Sequence, residues 1–478
     1  MQNCKKIRRV LLCYPNQRWL KFDLTTTWDL SPYGICMLAT TIQDRYEVKI
    51  VDAQFNNLSE EQFASQIETY APDLVGISLL TSEYAPILST AARIVKAVNN
   101  EIVTVAGGVH VTTQHEQVMA DTNIDYAVRG EGENVLGQLL DWLNHEAPFP
   151  TKGLVYRDWN NQKQLVALPP DLIDDLDQLP MPDYGLVDYL AYAMHKPRYG
   201  VDSLNVFPHA RILTSRGCPV GCSFCQVESI SGKKWRMRSA KNVVDEIAFF
   251  HQRYGIKGFI VEDDNAFVQK KRTKEMLRLL KQKNLGLSWK AAGVPIFNMD
   301  EETFRLMAET GCQLVGLPIE SGVPRILKQI IKKPVNLEKA PELIAAAQKN
   351  GIFVAANFII GFPTETWDEI RQTLHYAETC GADYCKIYAA QPLLGTELHS
   401  LAKQMNCLVG DEHDVGWRHG RISTSEFTPK DISILRAYEW DRINFTDSQK
   451  REKTAAIMGI TLEELDCIRK QTRESLTF

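Results

Sequence analysis

The sequence predicts an α/β protein: a doubly wound, Rossmann-like N-terminal domain, then a parallel α/β barrel, then a helical C-terminal extension. Two stretches, 8–145 and 206–395, alternate strand-like apolar runs with amphipathic helical ones. Between them, 146–205 concentrates Pro, Gly and Asp, as in "EAPFPTKG" and "LPPDLIDDLDQLPMPDYG", and reads as a linker. After Gly395 the strand signal fades, and 396–478 reads as helices.

In the first stretch the strand runs "RVLLCYP", "EVKIVDA", "DLVGISLL", "IVTVAGG" and "DYAVRG" are apolar nearly throughout, the signature of a parallel sheet covered on both faces. Helical runs such as "EEQFASQIETY" and "APILSTAARIVKAV" separate them. Ligands of such sheets lie beyond the carboxyl ends of the strands. Those ends carry Pro15, Asn16, Asp52, Ser78, Thr81, Gly107, Gly108, His110, Gly130 and Glu131. A dinucleotide is not the expected ligand, because "CYPNQRW" follows the first strand where a Gly-x-Gly-x-x-Gly turn would stand. A degenerate domain that only packs is the plainer alternative.

The second stretch repeats the rhythm with six strand candidates: "ARILTSRG", "GFIVEDD", "LSWKAAG", "LVGLPIES", "FVAANFIIGF" and "YCKIYAA". That count suits a partial or complete barrel, with its chemistry at the C-terminal mouth.

Composition narrows the function. At 478 residues and 44% hydrophobic, the chain can bury more than one core. A net charge of -5, with only the short basic clusters "KKIRR" and "GKKWRMR", argues against nucleic acid as a partner. No apolar run reaches the ~18 residues of a membrane span, and the basic start lacks a signal-type core. Eleven scattered cysteines, an odd number, do not form a disulfide framework and suit a reducing compartment. A soluble cytoplasmic protein is expected.

"SRGCPVGCSFC" places Cys218, Cys222 and Cys225 within eight positions. Their spacing would make one stripe on a helix, but Pro219, Gly217 and Gly221 disfavour a helix there. A loop curling three thiols around one centre fits better. Three buried core cysteines are the bland alternative. Zinc needs a distant fourth ligand such as His209. A [4Fe–4S] cluster on three thiolates needs none, and leaves one iron open to an exogenous molecule.

The CxxxCxxC pattern after a first barrel strand, with Phe224 just before the last cysteine, resembles the radical S-adenosylmethionine (SAM) superfamily. "KKWRMRSAKNVVDEI", "FIVEDDNAF", "VGLPIESG" and "NFIIGFPTET" follow in the family's order. The resemblance implies a partial (β/α)6 barrel in which Cys218, Cys222 and Cys225 hold a catalytic [4Fe–4S] cluster. It also implies SAM contacts from Phe224, Asp263, Asp264, Glu320, Ser321, Asn357 and Gly361. Carboxylates suit the SAM ammonium and ribose hydroxyls, and Gly361 is expected to admit adenine by lacking a side chain. The chain departs from the family in reading "GFPTET" where Gly-Phe-Pro-Gly-Glu-Thr is frequent, and in placing Asn357 where glycine is common.

Upstream, "SPYGICMLA", "VKIVDA", "DLVGISLLT", "AGGVHVT" and "VRGEGE" resemble the cobalamin-binding domain of the cobalamin-dependent branch. The resemblance implies cobalamin, as methylcobalamin, along the strand ends named above. With no Asp-x-His-x-x-Gly string, His110 is not expected on cobalt. The implied function is methylation of an unactivated carbon or phosphinate phosphorus of a small molecule in a biosynthetic pathway. An electron donor such as flavodoxin or ferredoxin is implied as well. Oxidative cyclisation or rearrangement with the same cofactors is the alternative, and a non-catalytic cobalamin sensor is a third. The extension is expected to close the barrel mouth, with Trp417, His419, Trp440 and Asp441 available, although ordinary helix packing is the favoured role for each of them.

Overall fold

The computed structural model describes residues 6–20, 30–161, 164–196, 204–412 and 419–474. These form two compact units. One runs to Tyr192 and also takes in Ser229–Ser231; the other comprises Ala193–Glu228 and the chain from Gly232 onward.

The first unit alternates β1 (Arg9–Tyr14), α1 (Tyr33–Ile42), β2 (Glu47–Asp52), α2 (Glu60–Tyr70), β3 (Leu74–Leu79), α3 (Ala85–Val98), β4 (Val103–Gly108), α4 (Val109–Met119), β5 (Tyr126–Val128) and α5 (Gly132–Leu143). These five strands are parallel in the order β2-β1-β3-β4-β5. That doubly wound order reverses direction between β1 and β3, the switch point where ligands enter. Leu11 and Cys13 of β1 join one core, while Val10, Leu12 and Tyr14 join the other. Because both faces are covered, the strands read as apolar throughout. The helices follow local rules: Ser59 and Gln62 form a capping box at the start of α2, and Phe63 and Ile67 are buried one turn apart.

Residues 146–205 differ from the expected linker. Strands β6 (Leu154–Arg157) and β7 (Leu165–Ala167) extend the sheet antiparallel from β5. Pro, Gly and Asp mark the turns of this segment. Its short apolar runs supply backbone partners to an edge that β5 would otherwise leave open. The first unit therefore ends inside α6 (Tyr189–Met194), well beyond residue 145.

The second unit follows with β8 (His209–Ile212), β9 (Ser215–Arg216), α7 (Val227–Ser231), β10 (Arg236–Met237), α8 (Ala240–Tyr254), β11 (Gly258–Val261), α9 (Lys270–Lys283), β12 (Ser288–Ala291), α10 (Glu301–Glu309), β13 (Cys312–Glu320), α11 (Ala340–Lys349), β14 (Phe353–Ile360), α12 (Trp367–Thr379) and β15 (Tyr384–Ala389). Its sheet is parallel in the order β15-β14-β13-β12-β11-β8. Among the described residues β8 and β15 each pair on one side only, so the barrel is partial and six-stranded. Alternation separates its two faces. On β14 Val354, Ala356, Phe358 and Ile360 are buried, and the Phe358 ring meets Tyr376 of α12. The intervening Phe353, Asn357 and Ile359 face the lumen.

The C-terminal helices α13 (Glu397–Gln404), α14 (Pro429–Phe445), α15 (Ser448–Met458) and α16 (Leu462–Glu474) complete this unit. They do more than cover the mouth, which was their expected place. Phe445, Ala455 and Leu465 share a core with Leu314, Ala355 and Tyr384, the lower tier of the lumen. Asn444 of α14 accepts from the Cys385 N–H and donates to its carbonyl, both at 2.7 Å. A side chain thereby satisfies the exposed edge of β15, as a seventh strand would. Asp441 bonds Arg469 and Arg473 of α16, the Trp440 indole donates to the Tyr384 hydroxyl, and the His419 carbonyl accepts from Gln391. Trp417 lies outside the described residues. Among the described residues no helix is long and apolar enough to cross a membrane.

Replacing Asn444 by Ala strands two buried backbone groups, each costing about 1–3 kcal/mol. The expected result is a cooperative loss of stability of the barrel unit, read as a lower urea midpoint by circular dichroism.

Candidate active site

The cysteine loop leaves β8 and returns through β10, and its ends are tied together by the antiparallel pair β9–β10. Below that closure lies a buried charged network. Asp263, just past β11, accepts from the Thr214 N–H (2.6 Å), the Thr214 hydroxyl (2.7 Å) and the Ser215 hydroxyl. Arg272 of α9 donates to the carbonyls of Thr214 (3.0 Å), Arg238 (3.0 Å) and Ala266 (3.3 Å), with its guanidinium over the Trp235 ring. Burial raises the Asp263 carboxyl, while its three donors and Arg272 oppose the rise. Asp263 was expected to face SAM; the structure instead spends its acceptors on the base of the loop.

At the centre of the loop the Ser223 N–H donates to the Ile331 carbonyl (3.0 Å), and the Ser223 carbonyl accepts from Leu398 of α13 (2.8 Å). Ile331 ends a π-helical turn, Ile326–Ile331. Burial pushes the Cys222 thiol up to about 12, helped by Glu320 and the two other thiols and opposed by Lys333. Cys225 is pushed up to about 11, chiefly by burial, against a hydrogen bond from the Val227 N–H. Three thiols close enough to repel one another's ionisation, with the Asn265 amide 3.5 Å from Cys218 Sγ, make an electron-rich donor set. An iron-sulfur cluster suits such a set, because coordination deprotonates thiols that burial alone keeps neutral.

At the rim, Glu320 ends β13 with φ +75°, a left-handed conformation costly for a residue with a side chain. Its carboxylate pairs with Lys333 at 2.7 Å, and both side chains are only 7% exposed. Lys333, beside Cys222 and Cys225, escaped the sequence reading; only its place after the π-turn distinguishes it from its neighbours "KK". Asp264 is exposed at the mouth and accepts from the Gly217 N–H; desolvation by the surrounding walls and then the Asp263 charge raise its carboxyl. Phe224 lies 6.4 Å from the Phe362 ring.

Two expected SAM residues turn elsewhere. Ser321 is fully buried against Thr373 of α12 (3.1 Å). Gly361 has φ +87°, and the space beside it is filled by Ile432 of α14, so backbone conformation rather than room for adenine demands glycine there. Its N–H and that of Phe362 donate to Glu365 (2.6 and 3.0 Å), whose carboxyl burial pushes up to about 7. Asn357 faces the lumen with Oδ1 buried and without a hydrogen-bond partner.

In the first unit, a small pocket, partly open to solvent, lies beyond β1, β2 and β3 and is lined by Tyr14, Asp52, Ser78 and Leu80 among others. Gly107 has open space where a side chain would stand. These fit a ligand laid along the strand ends. Several expected partners are instead structural. Asn16 bonds the Leu58 carbonyl and Asn57, Thr81 caps the turn at Glu83, and His110 bonds Ser82. Asp52 accepts from the Phe55 N–H and the Tyr192 hydroxyl. Gly108 is pressed against the Leu79 backbone, and Gly130 against Asp171. Glu131 takes the Ile173 N–H at 2.7 Å. The segment 170–173, read as linker, occupies the place expected for ligand at β5.

A barrel with three half-buried thiols at its mouth, encoded with a doubly wound domain that has a pocket at its switch point, defines the class. Residues 212–377 match the radical SAM superfamily and residues 24–140 the B12 binding domain. An uncharacterised methyltransferase of Pyrococcus horikoshii is 34% identical over 439 residues, covering 90% of this chain and 91% of that one. The cytidylyl-2-hydroxyethylphosphonate methyltransferase of Streptomyces wedmorensis is 30% identical over 442 residues, 82% of this chain and 81% of that one. The structure of TsrM from Kitasatospora setae, a radical SAM methyltransferase with cobalamin and a [4Fe–4S] cluster bound, superposes with a TM-score of 0.67 at 20% identity, over 85% of this chain and 76% of that one. The chain belongs to the cobalamin-dependent radical SAM enzymes.

Arg272→Met removes a buried cation while leaving Asp263 and three carbonyls in place, a change expected to cost about 3–5 kcal/mol. Thermal melting of the purified protein and iron content after reconstitution should both fall. For Glu365, a folded pKa near 7 against 4.5 unfolded means that the folded state binds the proton more tightly, so stability is lost as pH rises from about 4.5 to 7. Arg325 opposes this and Glu369 reinforces it. Glu365→Gln, which keeps an acceptor, should flatten that part of the melting-temperature profile, a difference of at most about 3 kcal/mol.

Proposed function

We propose that the protein is a cobalamin-dependent radical SAM methyltransferase acting on an unactivated carbon, or a phosphinate phosphorus, of a small molecule. The observation that carries this reading is the half-buried three-thiol loop at the mouth of a barrel, on a chain whose other unit matches a B12 binding domain. When bound, the cluster supplies the electron that cleaves SAM to a 5′-deoxyadenosyl radical, and methylcobalamin supplies the methyl group. Such centres need this chemistry because direct methyl transfer from SAM requires a nucleophile.

The chain's own residues bind and orient. Cys218, Cys222 and Cys225 would hold the cluster, and the lack of a fourth protein ligand in this set would let SAM bind to it. Glu320 and Lys333 present opposite charges beside Cys222, complementary to a zwitterionic amino-acid end, and each exchanges its present partner for a group of SAM. Asp264 offers a further acceptor at the mouth, and Phe224 with Phe362 excludes water. In the first unit, Ser78 and Gly107 would lie against cobalamin, and Asn16, Asp52, Thr81, His110, Gly108, Gly130 and Glu131 would shape the strand ends that carry it. A flavodoxin or ferredoxin in the cytoplasm serves as electron donor, and the charge balance of the chain suits a small molecule rather than nucleic acid.

The test incubates anaerobically reconstituted protein with SAM, methylcobalamin, a reductant and candidate substrates. Methylation yields S-adenosylhomocysteine and 5′-deoxyadenosine in comparable amounts; a cyclase yields 5′-deoxyadenosine alone, and a cobalamin sensor yields neither. Cys218→Ala, Cys222→Ala and Cys225→Ala should each abolish the visible absorbance of the cluster and SAM cleavage. Full cleavage by any of them sinks the reading.

A further inference from the structure

Each of the three thiols at the barrel mouth has a different electropositive neighbour. The Val227 N–H donates to Cys225 from the backbone. Lys333 lies beside Cys222, but the Glu320 carboxylate, 2.7 Å from its ammonium, offsets that charge. Cys218 meets the side-chain amide of Asn265, whose Nδ2 donates to Sγ at 3.5 Å.

Asn265 is held for this contact. It is only 5% exposed, and its carbonyl accepts from the Trp235 indole at 2.8 Å and from the Ser215 hydroxyl at 3.3 Å. Ser215 precedes the three cysteines and Trp235 follows them, so both ends of the loop fix the backbone that carries the amide. The two residues before it are committed elsewhere: Asp263 accepts from Thr214, and Asp264 from the Gly217 N–H. Of these three successive polar residues, Asn265 is the one that aims a donor at sulfur.

The orientation of the amide follows from its chemistry. Its Oδ1 is buried and has no hydrogen-bond partner among the described residues. An unbonded buried oxygen costs free energy, so the bond made by Nδ2 has to be a favourable one. A thiol can donate or accept, whereas a metal-bound thiolate only accepts. Turning Oδ1 towards Cys218 would set two acceptors against each other once iron is bound. A bond from Nδ2 avoids this, and it strengthens as the sulfur gains negative charge.

Hydrogen bonds to the sulfurs are among the determinants of an iron-sulfur reduction potential. One-electron reduction adds negative charge to a group that three thiolates already make anionic, and a donor dipole aimed at one of them lowers the cost. Burial strengthens that effect, because little water screens the amide. We propose that Asn265 sets the reduction potential of the [4Fe–4S] cluster through its hydrogen bond to Cys218, keeping the cluster easier to reduce than the thiolates alone would. Asn265 is thus a positioning residue that acts through Cys218. The inference rests on the cluster-binding part of the proposed function and on no step of methyl transfer.

The experiment is a redox titration of anaerobically reconstituted full-length protein, followed by the EPR signal of the reduced cluster. Titanium(III) citrate supplies the electron, and SAM, cobalamin and substrate are left out. Asn265→Leu removes the donor and the unbonded oxygen together while keeping most of the volume. It should shift the one-electron equilibrium about tenfold towards the oxidised cluster, a fall of about 59 mV. Iron content and visible absorbance establish that the variant carries a full cluster. A second readout needs no variant: wild-type protein labelled with nitrogen-15 in its asparagine side chains should show a nitrogen-15 coupling in the pulsed EPR spectrum of the reduced cluster. An unchanged or raised potential in intact Asn265→Leu overturns the proposal, as does absence of that coupling. Weakened SAM binding by Asn265→Leu with an unchanged SAM-free potential likewise overturns it, and assigns the amide to SAM instead. A wild type that assembles no cluster overturns the proposed function as well, whereas the other results overturn this inference alone.

Discussion

Arg272 donates to the carbonyls of Thr214, Arg238 and Ala266 from a position where only 3% of it is exposed, and the loop that carries the three thiols begins after the first of those residues and ends before the second. A loop containing Pro219 and two glycines has few backbone bonds of its own, and its carbonyls would be costly to bury unpaired. One guanidinium, with five donors in a fixed fork, answers several of them at once. Asp263 supplies the compensating charge and fixes Thr214 and Ser215 in turn. Together with the bonds of Ser223 to Ile331 and Leu398, this network keeps Cys218, Cys222 and Cys225 near one another, although each ionised thiol disfavours ionisation of the next.

The clamp works because the barrel around it is completed from far along the chain. Six parallel strands leave two edges, and an open edge is a liability. Helix α14 answers it with Asn444, and the apolar residues of α14 to α16 fill the lower lumen. The thiols and the Glu320–Lys333 pair lie at the other end of the barrel, at its mouth. α13 also reaches the cysteine loop, through the bond from Leu398 to Ser223. The C-terminal extension is thus as much a part of the site as the barrel strands.

In the first unit the same economy appears at the switch point. The reversal between β1 and β3 leaves a pocket lined by Ser78, and Gly107, the register partner of Ser78 on β4, has open space beside it. Farther along the sheet the strand ends are already occupied. The segment after β5 folds back, places Asp171 against Gly130, and gives Glu131 the Ile173 N–H. Glycines that look alike in sequence therefore do different work: Gly107 leaves space, while Gly108 and Gly130 let two pieces of backbone meet.

The sequence by itself determined the α/β rhythm of both units, the number of barrel strands and the three-thiol loop, because each is written in local periodicity or close spacing: uninterrupted apolar strands for a doubly covered sheet, and Cys218, Cys222 and Cys225 within one turn-rich segment. It was silent or misleading where a residue's role depends on what folds against it. Asp263 and Asp264 are adjacent acidic residues in one string, yet one braces the loop and the other reaches the mouth. Ser321 follows Glu320 but points to the opposite face of its strand end. Lys333, Arg272 and Asn444 carry no motif, and β6 and β7 lie inside a segment whose composition signals turns. Only the tertiary structure decided these, because partner choice for a buried polar group is set by neighbours distant in the chain, and composition and spacing record only neighbours that are near.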